Sequence, residues 1–293
     1  MTTLQNHGAD VLPPSITIPG REHDVPVRVF RGGPIRHGLL VWAHGGSWHS
    51  GSAAAWAPAL TDLAAIASAT VLAVDYRLAP EHPHPAALID FLTVMDRARE
   101  QAGDVPISVG GDSAGATIAA SAALAWRDRG HPLTAQVLAY PPLDPTCGAA
   151  SYRRHPGAFP GRAALAAAWR GYRGVEAIHP AAAADTSGAG TGRLYSTPHE
   201  SHDLTGVAPA ILAVGALDPV ADDVRAYADR LRSAGVAVDL HEVAGIGHGA
   251  FLSDPAFRHR LGTAYAATHP TAPAPHPSGT DIPTHHAPPR RTS

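Results

Sequence analysis

Six short stretches of this chain are apolar almost from end to end: GLLVWA, TVLAVDY, PISVGG, AQVLAYP, PAILAVG and VAVDLHEV. A strand with little polar alternation needs cover on both faces, which describes the parallel strands of an α/β sheet. Most of the segments between them have helical spacing. Residues 86–101 place Leu88, Phe91, Leu92 and Met95 at i, i+3, i+4 and i+7, and residues 220–234 place Val224, Tyr227 and Leu231 on one face. Both patterns predict amphipathic helices. The N-terminal part differs. SITIP and VPVRVF are joined by a short turn, and Val25, Val27 and Val29 alternate with polar or turn residues, which predicts a half-buried antiparallel strand. The expected class is α/β: a mostly parallel sheet with helices on both faces.

The alternation breaks once, between AYPPLD and APAILAVG. This insertion, residues 145–195, holds a predicted helix, RAALAAAWRGY, and a predicted flexible loop, AAAADTSGAGTGRLYS. An insertion at the C-terminal end of a parallel strand sits where open sheets bind ligands, so it is expected to act as a cap. Residues 1–14 form a short polar leader, the main domain is expected over 15–268, and 269–293 reads as a disordered tail rich in Pro, Thr and His. The tail histidines have no ligand spacing, and no metal site is expected.

Charge and cysteine narrow the function. The net charge of −3 gives no reason to expect nucleic acid or an anionic membrane as partner. All 22 basic residues are Arg, which excludes mechanisms built on a Lys base or Schiff base. Cys147 is the single cysteine; an internal disulfide is impossible, and nothing beside it in sequence activates it as a nucleophile. The leader lacks the apolar run of a signal peptide and no stretch is long enough to span a membrane, so a cytoplasmic location is expected.

One serine stands out. Ser113 lies in GGDSAG between the strand PISVG and the predicted helix ATIAASAALAW, with Gly111 and Gly115 two residues away on each side. Small neighbours at a strand-to-helix turn allow a nucleophile elbow, which lifts the hydroxyl above the sheet and aims the next backbone N–H at a bound carbonyl. A turn used only for packing, or for binding phosphate, has the same composition. His44-Gly45-Gly46 follows the strand GLLVWA, and its backbone N–H groups, with that of Ala114, are placed to form an oxyanion hole. An acid and a base then follow in chain order: Asp218 in ALDPVADD and His248 in GIGHGAF, each on a loop after a strand. Their rivals are Asp222 and Asp223, which begin a predicted helix, and His241, which lies within a predicted strand.

The run DYRLAPEHPHPAALID, with HGGSW before it and GGDSAG after it, resembles the bacterial hormone-sensitive lipase-like (family IV) esterases of the α/β-hydrolase superfamily. The resemblance covers residues 25–257 and includes AYPPLD, LYSTP, LDPVADD and GHGAF. It implies an eight-stranded sheet with a helical cap, Ser113 as nucleophile, His248 as general base then acid, and Asp218 as orienting acid. It also implies oxyanion donors in the set Gly45, Gly46, Ser47 and Ala114, with Asp75, Tyr76, Arg77 and Glu81 as supports beneath the site. Ser47 stands where the family usually has a third glycine, so it must take a backbone conformation that costs most residues energy. The short leader implies a reduced N-terminal cap. Trp48 either lines the substrate pocket or only packs.

The expected activity is hydrolysis of short- to medium-chain carboxylic esters through an acyl-enzyme, with a small-molecule substrate and no cofactor. A neutral histidine base predicts that activity falls below about pH 6–7. The same machinery serves formamide or amide cleavage, acyl transfer, or elimination and cyclisation in relatives, and a catalytically silent binder is the alternative from another class. Family members often pair through a sheet edge, which leaves room for a homodimer.

Overall fold

The computed structural model describes residues 13–33, 38–155, 157–174 and 193–269. Most of the expected leader, most of the Gly-rich loop of the insertion and the tail beyond His269 lie outside the described residues. Eight strands run in chain order as β1 (Ser15–Ile18), β2 (Val25–Arg31), β3 (Leu39–Ala43), β4 (Thr70–Val74), β5 (Ile107–Asp112), β6 (Gln136–Ala139), β7 (Ala210–Gly215) and β8 (Val238–Val243). They form a single sheet in the order β1-β2-β4-β3-β5-β6-β7-β8. From β4 to β8 all pairings are parallel, while β2 is antiparallel to both β1 and β4. This is the α/β-hydrolase arrangement that the sequence leads one to expect.

Burial follows the sequence pattern. Every residue of β5, β6 and β7 is buried, as continuous apolar runs require. In β2 the alternating Val25, Val27 and Val29 are buried. The edge strand β8 is only half-buried and carries Asp239, His241 and Glu242, the kind of charged edge that resists further strand pairing. Helices α1 (Ala57–Ala67), α2 (Ala86–Ala102) and α3 (Ala114–Asp128) follow β3, β4 and β5. The insertion contributes α4 (Ser151–Arg154) and α5 (Arg162–Arg173), and α6 (Ala221–Ser233), α7 (Ala250–Ser253) and α8 (Pro255–Ala267) complete the chain. Helix α1 packs on α8 and α2 on α3, which covers the sheet from its two sides. Asp254 caps α8 by accepting from the N–H groups of Ala256 and Phe257, with Pro255 in the first turn.

The loops at the C-terminal ends of β3, β5, β7 and β8 carry the candidate residues 45–47, Ser113, Asp218 and His248. Parallel strands deliver these four ends to one rim of the sheet.

Candidate active site

Ser113 sits between β5 and α3 at φ 51° and ψ −123°, a conformation that L-residues rarely hold. The turn that imposes it is crowded by backbone. A Cβ on Gly115 would stand 2.1 Å from the Ala43 carbonyl oxygen, and one on Gly111 would stand 2.4 Å from Gly115. Glycine at both positions lets β5 and α3 close on the end of β3. The Ser113 N–H donates to the Ala139 carbonyl on neighbouring β6 at 2.8 Å, which fixes the strained residue to the sheet. Residues 114–126 of α3 are all buried, so the elbow rests on a rigid base.

The Ser113 hydroxyl lies 2.8 Å from Nε2 of His248. The other ring nitrogen, Nδ1, is 2.9 Å from Oδ2 and 3.0 Å from Oδ1 of Asp218. The Asp218 side chain is fully buried, and its Oδ1 also accepts from the Val220 N–H at 3.0 Å. A buried carboxylate on Nδ1 holds the proton there and leaves Nε2 free to accept from a hydroxyl. Tyr140, at the end of β6, supports this arrangement. Its ring lies 4.6 Å from the His248 ring, and its phenol oxygen accepts from the Phe251 N–H at 3.0 Å, pinning the short helix that follows His248. On the open side, Phe159 from the insertion stands edge-on to His248 at 5.7 Å and is 70% exposed.

The loop after β3 folds beside Ser113. Gly46 has φ 115°, and its carbonyl accepts from the N–H groups of His49 and Ser50. Ser47 and Trp48 follow at φ 53° and 64°, so Ser47 does adopt the left-handed backbone that a third glycine would take freely. The expected donor set needs one correction. The Gly45 N–H points to Asp112 Oδ1 at 3.0 Å, which commits it to a side chain and removes it from the set. Among the described residues the N–H groups of Gly46, Ser47 and Ala114 have no such partner.

Asp112, the acidic residue directly before the serine, carries no local signal in the sequence for the contacts it makes. It is buried, and Oδ1 also accepts from the Trp56 indole N–H at 2.8 Å. Desolvation pushes its carboxyl up to about 7, against the opposing pull of the Trp56 and Gly45 hydrogen bonds. His44 stacks on Tyr76 at 4.4 Å, and the Tyr76 hydroxyl donates to the His44 carbonyl at 2.8 Å, which steadies the root of the same loop. Trp48 is fully buried against Trp169 and Tyr172 of α5.

The remaining candidates separate cleanly. Asp222 and Asp223 start α6 and bind the insertion. Asp223 accepts from the Leu143 and Asp144 N–H groups and the Tyr152 hydroxyl, and burial raises its carboxyl to about 6. Asp222 accepts from the Ser151 N–H. His241 lies on edge strand β8 beside Asp239. Asp75 accepts from the Ala53 N–H at 2.6 Å, and Arg77 pairs with Asp90 at 2.9 Å. Glu81 is exposed and so is not one of the buried supports beneath the site, while Asp90 is the carboxylate that partners Arg77. Cys147 is buried, and desolvation raises its thiol to about 11. Among the described residues no group of three His, Cys, Asp or Glu is placed to hold a metal ion, and no helix is long and apolar enough to cross a membrane.

Comparison with known proteins adds a second line of observation. Residues 40–252 match the family model for the alpha/beta hydrolase fold. The chain is 34% identical over 246 residues to the carboxylic ester hydrolase LipN of Mycobacterium tuberculosis, covering 80% of this chain and 63% of LipN. It is also 34% identical over 236 residues to the carboxylesterase NlhH of the same species, covering 77% of this chain and 71% of that one. The match thus spans less than two thirds of LipN. Among solved structures, an arylesterase superimposes with a TM-score of 0.75 at 27% identity, over 88% of this chain and 85% of that one.

Proposed function

Because this chain belongs to the hormone-sensitive lipase-like branch of the α/β-hydrolase family, we propose that it hydrolyses short- to medium-chain carboxylic esters through an acyl-enzyme on Ser113. The observation that carries this reading is the continuous chain from Ser113 Oγ through His248 to the buried Asp218. His248 Nε2 takes the hydroxyl proton as Ser113 Oγ bonds to the ester carbonyl carbon. The carbonyl oxygen gains the negative charge, and the N–H groups of Gly46, Ser47 and Ala114 receive it. When the tetrahedral adduct collapses, the ester C–O bond breaks and His248 returns its proton to the leaving alcohol. Water then repeats the sequence on the acyl-enzyme and releases the acid, restoring Ser113. Asp218 orients the imidazole throughout and stabilises its protonated form.

The relatives' names support an ester as the substrate class: LipN and NlhH are an ester hydrolase and a carboxylesterase. The exposed Phe159 beside His248 gives the leaving or acyl group an apolar wall. A cytoplasmic location and pairing into a homodimer go with this reading as its finer parts, checked by fractionation and by sedimentation.

The direct test compares wild type with Ser113→Ala on p-nitrophenyl acetate, butyrate, octanoate and palmitate, following free acid as well as p-nitrophenol. Hydrolysis of the shorter esters that the substitution abolishes is the expected result. Release of p-nitrophenol without free acid would assign the site to acyl transfer. No turnover by folded wild type would set ester hydrolysis aside.

A further inference from the structure

Two consecutive non-glycine residues with positive φ, Ser47 and Trp48, need something to hold them there. Hydrogen bonds supply part of the restraint. The Gly46 carbonyl closes the turn with the N–H groups of His49 and Ser50, and the Trp48 carbonyl accepts from the Ala79 N–H at 2.9 Å. The rest comes from the insertion. The buried face of α5 consists of Leu165, Trp169 and Tyr172, spaced four and three residues apart. Two of these three meet the Trp48 ring. Tyr172 stacks on it at 4.7 Å with the planes 12° apart, and Trp169 lies against it at 4.3 Å. Tyr172 is anchored in turn, because its carbonyl accepts from the His84 N–H at 2.6 Å.

We propose that α5 is a clamp on the oxyanion loop: Trp169 and Tyr172 grip the Trp48 ring and so hold the N–H groups of Gly46 and Ser47 aimed at the reacting oxygen. Trp169 and Tyr172 are therefore positioning residues, and Trp48 is the handle they hold. The inference rests on the serine-hydrolase reading, because it assigns those N–H groups to the oxyanion. It also gives the insertion a task apart from lining a substrate pocket. The rings of Trp48, Trp169 and Tyr172 are essentially fully buried and offer almost no surface to a ligand. Neither the Trp48 nor the Trp169 indole N–H has a hydrogen-bond partner among the described residues. What matters at both positions is the flat ring.

The test follows from that. In the full chain, Trp169→Leu keeps apolar bulk but loses the flat face, Trp169→Ala loses both, and Trp169→Phe keeps a ring. With p-nitrophenyl acetate, the shortest acyl chain of the series, Leu and Ala are expected to lower kcat by about tenfold or more with KM within about twofold, since loss of a whole oxyanion donor costs about 10²–10³-fold. Phe is expected to restore most of the rate. Binding of a trifluoromethyl ketone, whose adduct with Ser113 bears an oxyanion, should weaken in step with kcat. Trp169→Leu serves if the Ala variant does not fold. The clamp is overturned if folded Leu or Ala variants keep kcat on the acetate and lose activity only on longer esters, or if Phe is as slow as Leu. A wild type without Ser113-dependent hydrolysis is a different failure, because it removes the hydrolase reading beneath the clamp.

Discussion

The backbone N–H of Gly45 donates to Oδ1 of Asp112 at 3.0 Å, joining the loop after β3 to the end of β5, 67 residues away in the chain. The same oxygen holds the Trp56 indole N–H at 2.8 Å. The residue before Ser113 thus fixes the root of the loop whose next two N–H groups are the proposed oxyanion donors. Removing that acceptor leaves one buried and one partly buried donor without this partner and frees the loop. Asp112→Ala is expected to lower kcat/KM on p-nitrophenyl acetate by about 10–100-fold, within the range for a damaged oxyanion hole. Asp112→Asn keeps an oxygen acceptor and should stay within about threefold of wild type. Equal losses in both variants would assign Asp112 a role for its charge instead.

Stability should depend on pH through the same residue. Burial raises the Asp112 carboxyl from 3.8 to about 7, so the folded state keeps a proton that the unfolded chain releases between those values. The stabilising effect is complete below about pH 4 and is lost as pH rises toward about 7. Asp223, raised to about 6, adds to the fall in the lower part of that window. Asp112→Asn removes one titration. Thermal unfolding from pH 4 to pH 8 should therefore shift in favour of Asp112→Asn relative to wild type, by up to about 4 kcal/mol. Parallel pH curves for the two proteins would contradict the assignment.

Ser47 is expected to act through its backbone. At φ 53° it sits where glycine is at ease, so Ser47→Gly should retain kcat/KM within about threefold. Gly46 is different. A Cβ there would stand 2.1 Å from the Ser50 carbonyl oxygen, at φ 115°. Gly46→Ala should cost about 10²-fold or more in kcat by displacing the loop. Steady-state kinetics of the two variants side by side decides this.

Cys147 is buried, and its thiol is raised to about 11 by desolvation, which leaves little thiolate at neutral pH. Iodoacetamide should leave the native protein unlabelled and fully active, and should label Cys147 after unfolding. Inactivation that tracks labelling of the native protein would give this thiol a part in the reaction.

How far the chain can be read depends on whether the signal is local. The buried strands β5, β6 and β7 and helix α6 show in the sequence because their own periodicity reports the cover they receive. Ser113 shows because its tight turn demands small neighbours on each side, and Asp218 and His248 show because they follow strands in a fixed order. The helix of the insertion is also local: the expected RAALAAAWRGY forms within α5. What escapes is pairing across distance. Nothing near Asp112 says that its oxygen will meet Gly45, and nothing near Trp48 says that its ring will meet Trp169. Nothing near Phe159 says that its ring will stand beside His248. The side of a helix can be read from its period, but the partner of that side cannot.

The central claim is that Ser113 becomes acylated, and trapping the adduct tests it most directly. Wild type, Ser113→Ala and Asp218→Asn would be treated with diethyl p-nitrophenyl phosphate, and their peptides mapped by mass spectrometry. The account predicts one modified residue in wild type, Ser113, formed in step with loss of esterase activity. It predicts no adduct in Ser113→Ala, and in Asp218→Asn a reaction slowed by about 10³–10⁴-fold, because the imidazole loses its tautomer. An adduct on another residue, or full activity once Ser113 is modified, would contradict it.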